Sequence, residues 1–237
     1  MLAWVLDAVG EAVAPGVTLK ELDHLAEEMI RAHRARPSFK GYYGFPATLC
    51  TSLNDAVVHG IPGAQELKPG DVLSYDCGLI LDGWHADSAR TVAVGEAGAE
   101  AERLMSTTAE ALQAGIDQCR PGRRLGDVGA AIQKVVENAG YWVIPVLVGH
   151  GIGRSMHEDP QVPNLGTPGK GEEIQEGWVL AIEPMVAAGG PGVQLRPDRW
   201  TLVTADGSLA AHFEHTVAVT AGGPRVLTAP GARIPNG

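Results

Sequence analysis

The sequence predicts a single α+β domain, and three features of its 237 residues support that fold class. Helix-like stretches come in pairs, one pair in each half of the chain. Runs typical of antiparallel hairpins follow each pair. The β–α alternation of a doubly wound parallel sheet and its GxGxxG motif are both absent. Because no linker-like stretch divides the chain, we expect one domain over 1–237, built from two related halves.

The first half begins with two predicted helices. Residues 2–13 are largely apolar, and the helix is expected to stop at Pro15-Gly16. Thr18 and Glu21 then stand at the spacing of a capping box, in which each side chain bonds to the backbone N–H of the other residue. Apolar residues recur at helical spacing from there to Ile30, which predicts the second helix.

A loop, a strand and a long hairpin are predicted next. The aromatic, glycine-rich segment 37–50 is typical of a loop, and 56–59 is typical of a strand. The segment 71–94 then alternates in the manner of two strands, with Asp82-Gly83 as a two-residue turn.

This hairpin directs two carboxylates to one side. With the turn placed as above, Asp87 lies opposite Gly78, so Asp76 and Asp87 are diagonal neighbours with Cα atoms roughly 7–8 Å apart. Side chains at that separation can reach one metal ion or two adjacent ions. The other face of the first strand is apolar and predicts core. Two solvated aspartates on a half-exposed hairpin remain an alternative.

The second half repeats the order of two helices followed by strands. Its first helix is predicted over roughly 98–119, and its second begins with Asp127 as N-cap and ends at Gly140. Asp206-Gly207 predicts a second hairpin turn. The remaining strands are predicted over 141–149, 178–183, 200–204 and 209–220.

Composition limits the partners and the compartment. The net charge is −10, from 18 basic and 28 acidic residues, which argues against broad binding to nucleic acid or anionic membranes. Three cysteines in no CxxC pair fit a reducing compartment. The apolar N-terminus contains Asp7 and Glu11 and lacks a basic region, so no signal peptide is predicted. We therefore expect a cytoplasmic protein without a membrane span, and we expect it to be a monomer.

Residues far from the hairpin offer further metal ligands. The segment GHGIGRSMHEDP carries His150 and His157 in a glycine-rich loop, where Pro160 excludes the helical HExxH motif of zincins. Glu183 ends an apolar strand just before a proline, which holds the residue extended. Glu214 lies on the strand face opposite the apolar residues. A lone buried carboxylate is costly, so a shared role is favoured over packing.

Together these residues form a carboxylate-rich set with one imidazole: Asp76, Asp87, Glu183, Glu214 and His150. Such ligands suit divalent Mn, Fe, Co or Zn, and carboxylates can bridge two ions. A water between two such ions becomes a nucleophile that can attack a carbonyl. Taken singly, each acid could instead be an edge-strand acid in water, and each histidine could be structural.

Five motifs, taken together, resemble the successive signatures of the type I, bacterial-type methionine aminopeptidases, over about residues 2–220. They are NDAVVHGIP, DCGLILDGWHADSART, GHGIGRSMHEDPQV, AIEPM and FEHTVAVT. The resemblance implies the pita-bread fold, with pseudo-twofold halves, a curved antiparallel sheet and flanking helices. It also implies a first helix that is short for the family. The implied reaction removes the initiator methionine from nascent chains with a small second residue, and the ribosome is a further candidate partner.

The resemblance implies a dinuclear metal site. Asp76 would bind one ion alone, and His150 with Glu183 would bind the other. Asp87 and Glu214 would bridge the two ions.

The resemblance also implies the catalytic residues and the substrate pocket. Glu183 would act as general base on the attacking water, while His59 and His157 would hold the substrate and stabilise the tetrahedral intermediate. The methionine side chain would lie among Phe39, Tyr42, Phe45, Cys50, Met156 and Trp200. The family would have cysteine, tyrosine and phenylalanine at three of these positions, so the pocket is expected to differ in shape at Phe39, Phe45 and Met156.

Two other functions remain open. A related pita-bread peptidase acting on Xaa-Pro bonds is one alternative, but such enzymes usually carry an extra N-terminal domain. A non-catalytic pita-bread binding module would generally lose metal ligands, whereas this sequence fills all of these positions.

Overall fold

The structure is a computed structural model that describes residues 1–229. The α-helices in that range are α1 (Leu2–Ala12), α2 (Leu19–Ala32), α3 (Ala99–Ile116) and α4 (Leu125–Asn138). The strands are β1 (Arg36–Pro37), β2 (Leu49–Leu53), β3 (Ala56–Val58), β4 (Val72–Leu81), β5 (Trp84–Ala93), β6 (Trp142–Val143), β7 (Val148–Gly151), β8 (Glu158–Pro163), β9 (Val179–Ile182), β10 (Met185–Ala187), β11 (Val193–Leu195), β12 (Leu202–Thr204), β13 (Ala210–His212), β14 (His215–Thr220) and β15 (Gly223–Val226).

In the first half, α1 and α2 pack on a sheet centred on β4. Antiparallel β5 pairs along the whole of β4, while β2 and β1 pair with successive parts of it. The predicted capping box starts α2: Glu21 N–H donates to Thr18 Oγ1 at 3.2 Å, and Thr18 N–H donates to the Glu21 carboxylate at 2.8 Å. Leu6, Leu22 and Leu73 are fully buried between the layers. Burial of each such side chain contributes roughly 1.5–3 kcal/mol.

In the second half, α3 and α4 pack on a five-stranded antiparallel sheet in the order β15-β14-β9-β7-β8. The apolar core between them includes Leu104, Ile132 and Leu180, all fully buried. Two three-stranded sheets, β13-β10-β6 and β11-β12-β3, complete the described part of the chain. The mixture of paired helices and antiparallel sheets confirms the predicted α+β class.

The two halves are joined by hydrogen bonds between β5 and the segment 212–216. Thr216 Oγ1 accepts from Asp87 N–H at 3.0 Å and donates to the Asp87 carbonyl at 2.7 Å. Glu214 N–H donates to the Ala89 carbonyl at 3.0 Å. These bonds bring the hairpin aspartate beside the glutamate of the other half.

The hairpin prediction is confirmed residue by residue. Leu81 pairs with Trp84 and Gly78 pairs with Asp87, as the Asp82-Gly83 turn requires. Both turn residues have positive φ, 52° at Asp82 and 79° at Gly83, which is the backbone that a tight two-residue hairpin turn needs.

Several predicted boundaries are wrong. The N-cap of α4 is Arg124 rather than Asp127, because Asp127 is the third helical residue and its carboxylate reaches back to Arg124 N–H at 2.8 Å. The predicted loop 37–50 contains β1 at its start, a 3-10 turn at Tyr42–Gly44 and the beginning of β2. These elements depend on pairing with β4, which the local pattern does not show.

The strand predictions of the second half also need correction. The segment 141–149 is two strands, separated at Pro145, which has no N–H to offer a ladder. The segment 209–220 is interrupted where Glu214 N–H bonds to Ala89 on β5, which belongs to a different sheet from β13 and β14. Asp206-Gly207 forms a turn, but not a hairpin, because β12 and β13 pair in different sheets. The Asp206 carboxylate accepts instead from Gly190 N–H at 2.7 Å.

No helix within residues 1–229 has the length and apolar character needed to cross a membrane.

Candidate metal centre and substrate cavity

The structure brings every predicted site residue to one cavity of about 230 Å³. Its lining combines acidic and imidazole groups with an aromatic and apolar wall, and it adds Tyr43, which was not predicted. The lining residues are Phe39, Tyr42, Tyr43, Phe45, Cys50, His59, Asp76, Asp87, His150, Met156, His157, Glu183, Trp200 and Glu214.

The acidic residues reach this cavity from both halves of the fold. Asp76 and Asp87 lie on β4 and β5, two residues apart along the ladder because Asp87 pairs with Gly78. Glu183 directly follows β9, and Glu214 lies between β13 and β14. Asp87 and Glu214 are only 4% and 2% exposed, so water cannot compensate their charge.

His150, on β7, directs one nitrogen toward these acids. Its Nδ1 lies 2.8 Å from the Gly151 carbonyl oxygen, and donation to that oxygen leaves the Nε2 lone pair free. Nε2 lies 3.5 Å from Oε1 of Glu183. A backbone carbonyl that fixes the ring of a histidine in this way is typical of metal-ligating histidines.

The distances and the missing hydrogen bonds fit a cation. Ligand atoms of Asp87, His150 and Glu214 all lie within 4.8 Å of one another. Asp76 belongs to the same group because it lines the same cavity and lies diagonally across the β4–β5 ladder from Asp87. Oδ1 of Asp76, Oδ1 of Asp87 and Oε1 of Glu214 are buried without a hydrogen-bond donor in the described protein. Buried acceptors rarely stay unpaired, and a divalent ion would satisfy all three.

The electrostatics of the four carboxyl groups lead to the same conclusion. Burial raises the pKa of Asp87 to about 7. Burial and the neighbouring carboxylates raise the pKa of Asp76 and of Glu214 well above the usual range. Burial, followed by the charge of Asp87, does the same to the pKa of Glu183. Four carboxylates at this separation repel one another when ionised, and bound cations would remove that cost.

Two further histidines, His59 and His157, line the cavity beside the candidate metal ligands. His157 Nδ1 lies 2.8 Å from the Tyr42 hydroxyl, and its ring centroid is 4.2 Å from that of His150. Burial lowers the pKa of His157, and burial with the neighbouring His157 lowers the pKa of His59. Both rings are therefore neutral near pH 7. His59 has φ of 59°, an unfavourable backbone for a non-glycine residue and one often found at functional sites.

The opposite wall is apolar. Phe45 packs edge-to-face on Trp200 with centroids 5.1 Å apart, and Met156 is buried beside them. Phe39 can approach β4 because Gly78 has no side chain: a Cβ there would lie 2.7 Å from the Phe39 ring. The glycine opposite Asp87 thus lets the apolar wall pack against β4, the strand that carries Asp76.

His212 is the residue that sequence reasoning missed most clearly. Its Nε2 is buried without a hydrogen-bond partner in the described residues and lies 3.8 Å from Oε2 of Glu183. The Glu183 carboxylate therefore lies between His150 and His212. In the sequence His212 is one of three polar residues on a strand face, and nothing local distinguishes it from a structural residue.

Comparison with known proteins identifies the family. The profile of metallopeptidase family M24 matches residues 2–221. The chain is 52% identical to a methionine aminopeptidase of Clostridium perfringens over 228 residues, which cover 96% of this chain and 92% of the relative. It is 48% identical to methionine aminopeptidase 1 of Bacillus subtilis over 216 residues, 91% of this chain and 87% of that protein.

Solved structures agree with this comparison. Methionine aminopeptidase from Thermotoga maritima superposes with a TM-score of 0.95 at 44% identity, covering 97% of this chain and 92% of that one. A prolidase from Pyrococcus furiosus superposes with a TM-score of 0.76 at 20% identity, covering 96% of this chain and 60% of that one, and shares the fold alone. The chain therefore belongs to metallopeptidase family M24 and, within it, to the type I methionine aminopeptidases with the pita-bread fold.

Proposed function

We propose that this chain is a methionine aminopeptidase that uses two divalent ions to remove the N-terminal methionine from peptides and nascent proteins with a small second residue. One observation carries the proposal: four carboxylates and His150 converge at one end of a cavity whose other wall is aromatic and apolar. The acidic end suits metal ions and a free α-amine. The apolar wall suits an unbranched thioether side chain.

The proposed ligand assignment follows the family resemblance, and the convergence of these side chains on one cavity supports it. Asp87 and Glu214, whose ligand atoms lie within 4.8 Å of each other, would be shared by the two ions, and Asp76 would bind one of them. His150 and Glu183, 3.5 Å apart, would hold the other ion. When bound, the ions would activate a water molecule and polarise the scissile carbonyl. Mn, Fe, Co and Zn are all compatible with this donor set.

The chain's own groups would handle the protons. Glu183 would accept a proton from the attacking water and deliver it to the amine that leaves. Because His157 is neutral, a Tyr42 hydroxyl that donates to Nδ1 leaves Nε2–H of His157 as a donor to the carbonyl oxygen while negative charge develops there. His59, which lines the same cavity, would hold the substrate.

A peptide panel tests the proposed reaction. We expect metal-loaded protein to release methionine from Met-Ala-Ser, to act much more slowly on Met-Leu-Ser, and to leave Ala-Pro intact. The peptides can be followed by liquid chromatography with Mn, Fe, Co and Zn in separate reactions. Faster cleavage of Ala-Pro than of Met-Ala-Ser would replace the proposal with an Xaa-Pro peptidase. No cleavage by protein that has bound metal would favour a binding module.

His157→Ala is expected to lower kcat on Met-Ala-Ser by roughly a hundredfold, because the developing charge loses a positioned donor. Metal binding, measured by calorimetry, should be unchanged, since His157 is not among the proposed ligands. His24→Ala serves as the control, because His24 is exposed on α2. Wild-type kcat in the His157 variant would show that this side chain does not act on the reacting carbonyl.

We further propose that residues 1–237 form a single catalytic domain that acts as a monomer in the cytoplasm, with the ribosome as a candidate partner. The family match extends over most of the chain, and the three cysteines are free and buried, as a reducing compartment allows. Light scattering of the purified protein tests the monomer, and a dimer mass would contradict it.

A further inference from the structure

A second groove, of about 510 Å³, lies beside the substrate cavity and shares Tyr42 and Met156 with it. We call it the basic groove, because its lining includes four cationic side chains: Arg31, Arg36, Lys40 and Arg154. Such a concentration of positive charge is unexpected in a chain with a net charge of −10.

The four cations of the basic groove come from separate elements. Arg31 is in the last turn of α2, Arg36 is on β1, Lys40 precedes the 3-10 turn, and Arg154 lies in the loop after β7. The four charges are therefore not simply the solvent-exposed face of one helix. The tertiary fold assembles the charge.

Positive charge exceeds negative charge in the groove. Glu27 contacts both Arg31, at 2.7 Å, and Lys40, at 2.6 Å. Arg154 stacks on the Trp84 ring at 3.9 Å and donates to the Asp82 carbonyl at 3.1 Å. Within residues 1–229, neither Arg36 nor Arg154 forms an ion pair with a carboxylate. The positive charges of these two guanidinium groups are therefore not neutralised by a carboxylate of the described residues, and they can attract an anionic ligand.

The base of the basic groove is held in place by hydrogen bonds. Ser38 N–H donates to the Gly78 carbonyl at 2.8 Å, and Ser38 Oγ lies 2.9 Å from Nδ1 of His85. Arg36 pairs with Ile80 in the sheet. A ligand would meet positions that are already organised, which lowers the entropic cost of binding.

We infer that the basic groove binds acidic side chains of the peptide substrate beyond its second residue, and so favours substrates with acidic N-terminal segments. The inference rests on the proposed function. Tyr42 lines both spaces, so a peptide whose methionine occupies the cavity would extend past Tyr42 into the basic groove. Another groove that Tyr42 lines includes Glu158 and Asp159, which would repel an acidic segment. An acidic peptide is therefore directed to the basic groove.

A short acidic peptide fits the charge distribution better than a nucleic acid does. A polyanion would bring many charges against a protein whose total charge is strongly negative, whereas two or three carboxylates meet only the local cations.

The test compares substrates that differ only in charge. Two peptides are used: Met-Ala-Ser followed by two aspartates, and Met-Ala-Ser followed by two lysines. Each peptide is assayed with wild type, Arg36→Glu and Lys134→Glu. Lys134 is exposed on α4 and provides the same charge change away from the basic groove. We expect Arg36→Glu to lower the aspartate-to-lysine ratio of kcat/KM by at least about threefold, mainly through KM, and the effect to shrink in high salt. An equal ratio in Arg36→Glu and Lys134→Glu would overturn the inference.

A binding experiment keeps the inference separate from the proposed reaction. A fluorescent peptide, Ala-Ser with two aspartates and no methionine, is titrated with each protein at low salt, and anisotropy is recorded. We expect saturable binding to wild type and Lys134→Glu that is weakened at least about threefold in Arg36→Glu, whether or not the protein releases methionine. Binding that is absent, or equal in the three proteins, would overturn the inference. Binding of an oligouridylate but not of this peptide would also overturn it.

Discussion

Glu183→Ala is expected to lower kcat on Met-Ala-Ser by at least about a thousandfold, a larger loss than His157→Ala should cause. The change removes a proposed metal ligand and the proposed proton acceptor together. It also removes the carboxylate that His150 and His212 face from two sides. Single-turnover assays and calorimetric metal titration should show loss of the chemical step and weaker metal binding.

The matched control is Glu176→Ala, because Glu176 is an exposed glutamate that precedes β9. It should keep wild-type turnover. If Glu183→Ala retained activity while its fold and metal content stayed intact, both roles given to Glu183 would be wrong. Glu183→Gln separates the roles further, since the amide keeps the shape of the side chain but cannot accept the proton from water.

Removal of metal is expected to abolish turnover and to lower the Tm, both reversibly. Without cations the fold must bury four carboxyl groups, whose like charges repel when they ionise. Chelator-treated protein should regain activity and Tm when a divalent ion is restored. Full activity after complete removal of metal, verified by elemental analysis, would contradict the proposed mechanism.

The increase in Tm that metal causes should itself become larger as pH rises. In the metal-free protein the pKa of Asp87 rises from 3.8 to about 7, so protonated Asp87 stabilises the fold at low pH and this stabilisation is lost as pH rises toward 7. Metal must displace that proton. The apparent metal affinity, and the Tm difference between loaded and metal-free protein, should therefore increase between about pH 5 and about pH 7.

Protonation of the buried histidines does not change the expected direction of this pH dependence. Burial lowers the pKa of His150 to about 4 and that of His212 to about 3, so both are neutral across that pH range in the folded protein. The neutral rings stabilise the folded protein above pH 6.5, the ordinary pKa of histidine, and this stabilisation is lost as pH falls below that value. Because the loss is the same in the loaded and metal-free forms, it cancels in the Tm difference. A Tm difference that stayed constant or fell with rising pH would show that metal does not displace protons from these carboxylates.

The parts of the fold that could be predicted from sequence are those fixed by local chemistry. The Asp82-Gly83 turn sets the register of β4 and β5, and the period of two then places Asp76 and Asp87 on one face. The capping box at Thr18 defines the start of α2 in the same way. Short strands such as β2 and β10 were missed because they are strands only where a distant partner pairs with them.

The site residues also divide into those that the local sequence identifies and those that depend on distant contacts. Four acids at strands or strand ends were recognisable because packing explains them poorly. The pocket residues Phe39, Met156 and Trp200 were found only through resemblance to a family. In a sequence, a single aromatic residue or methionine in a pocket cannot be distinguished from one in the hydrophobic core. His212, and the convergence of Arg36 and Arg154, depend on contacts between segments far apart in sequence.

The most direct test of the dinuclear metal centre is the anomalous scattering of a crystal of this protein grown with Mn²⁺. We expect two manganese peaks inside the cavity, both in contact with Asp87 and Glu214, one also with Asp76 and the other with His150 and Glu183. Peaks elsewhere on the molecule, or no peak while these five side chains are ordered, would contradict the proposed centre.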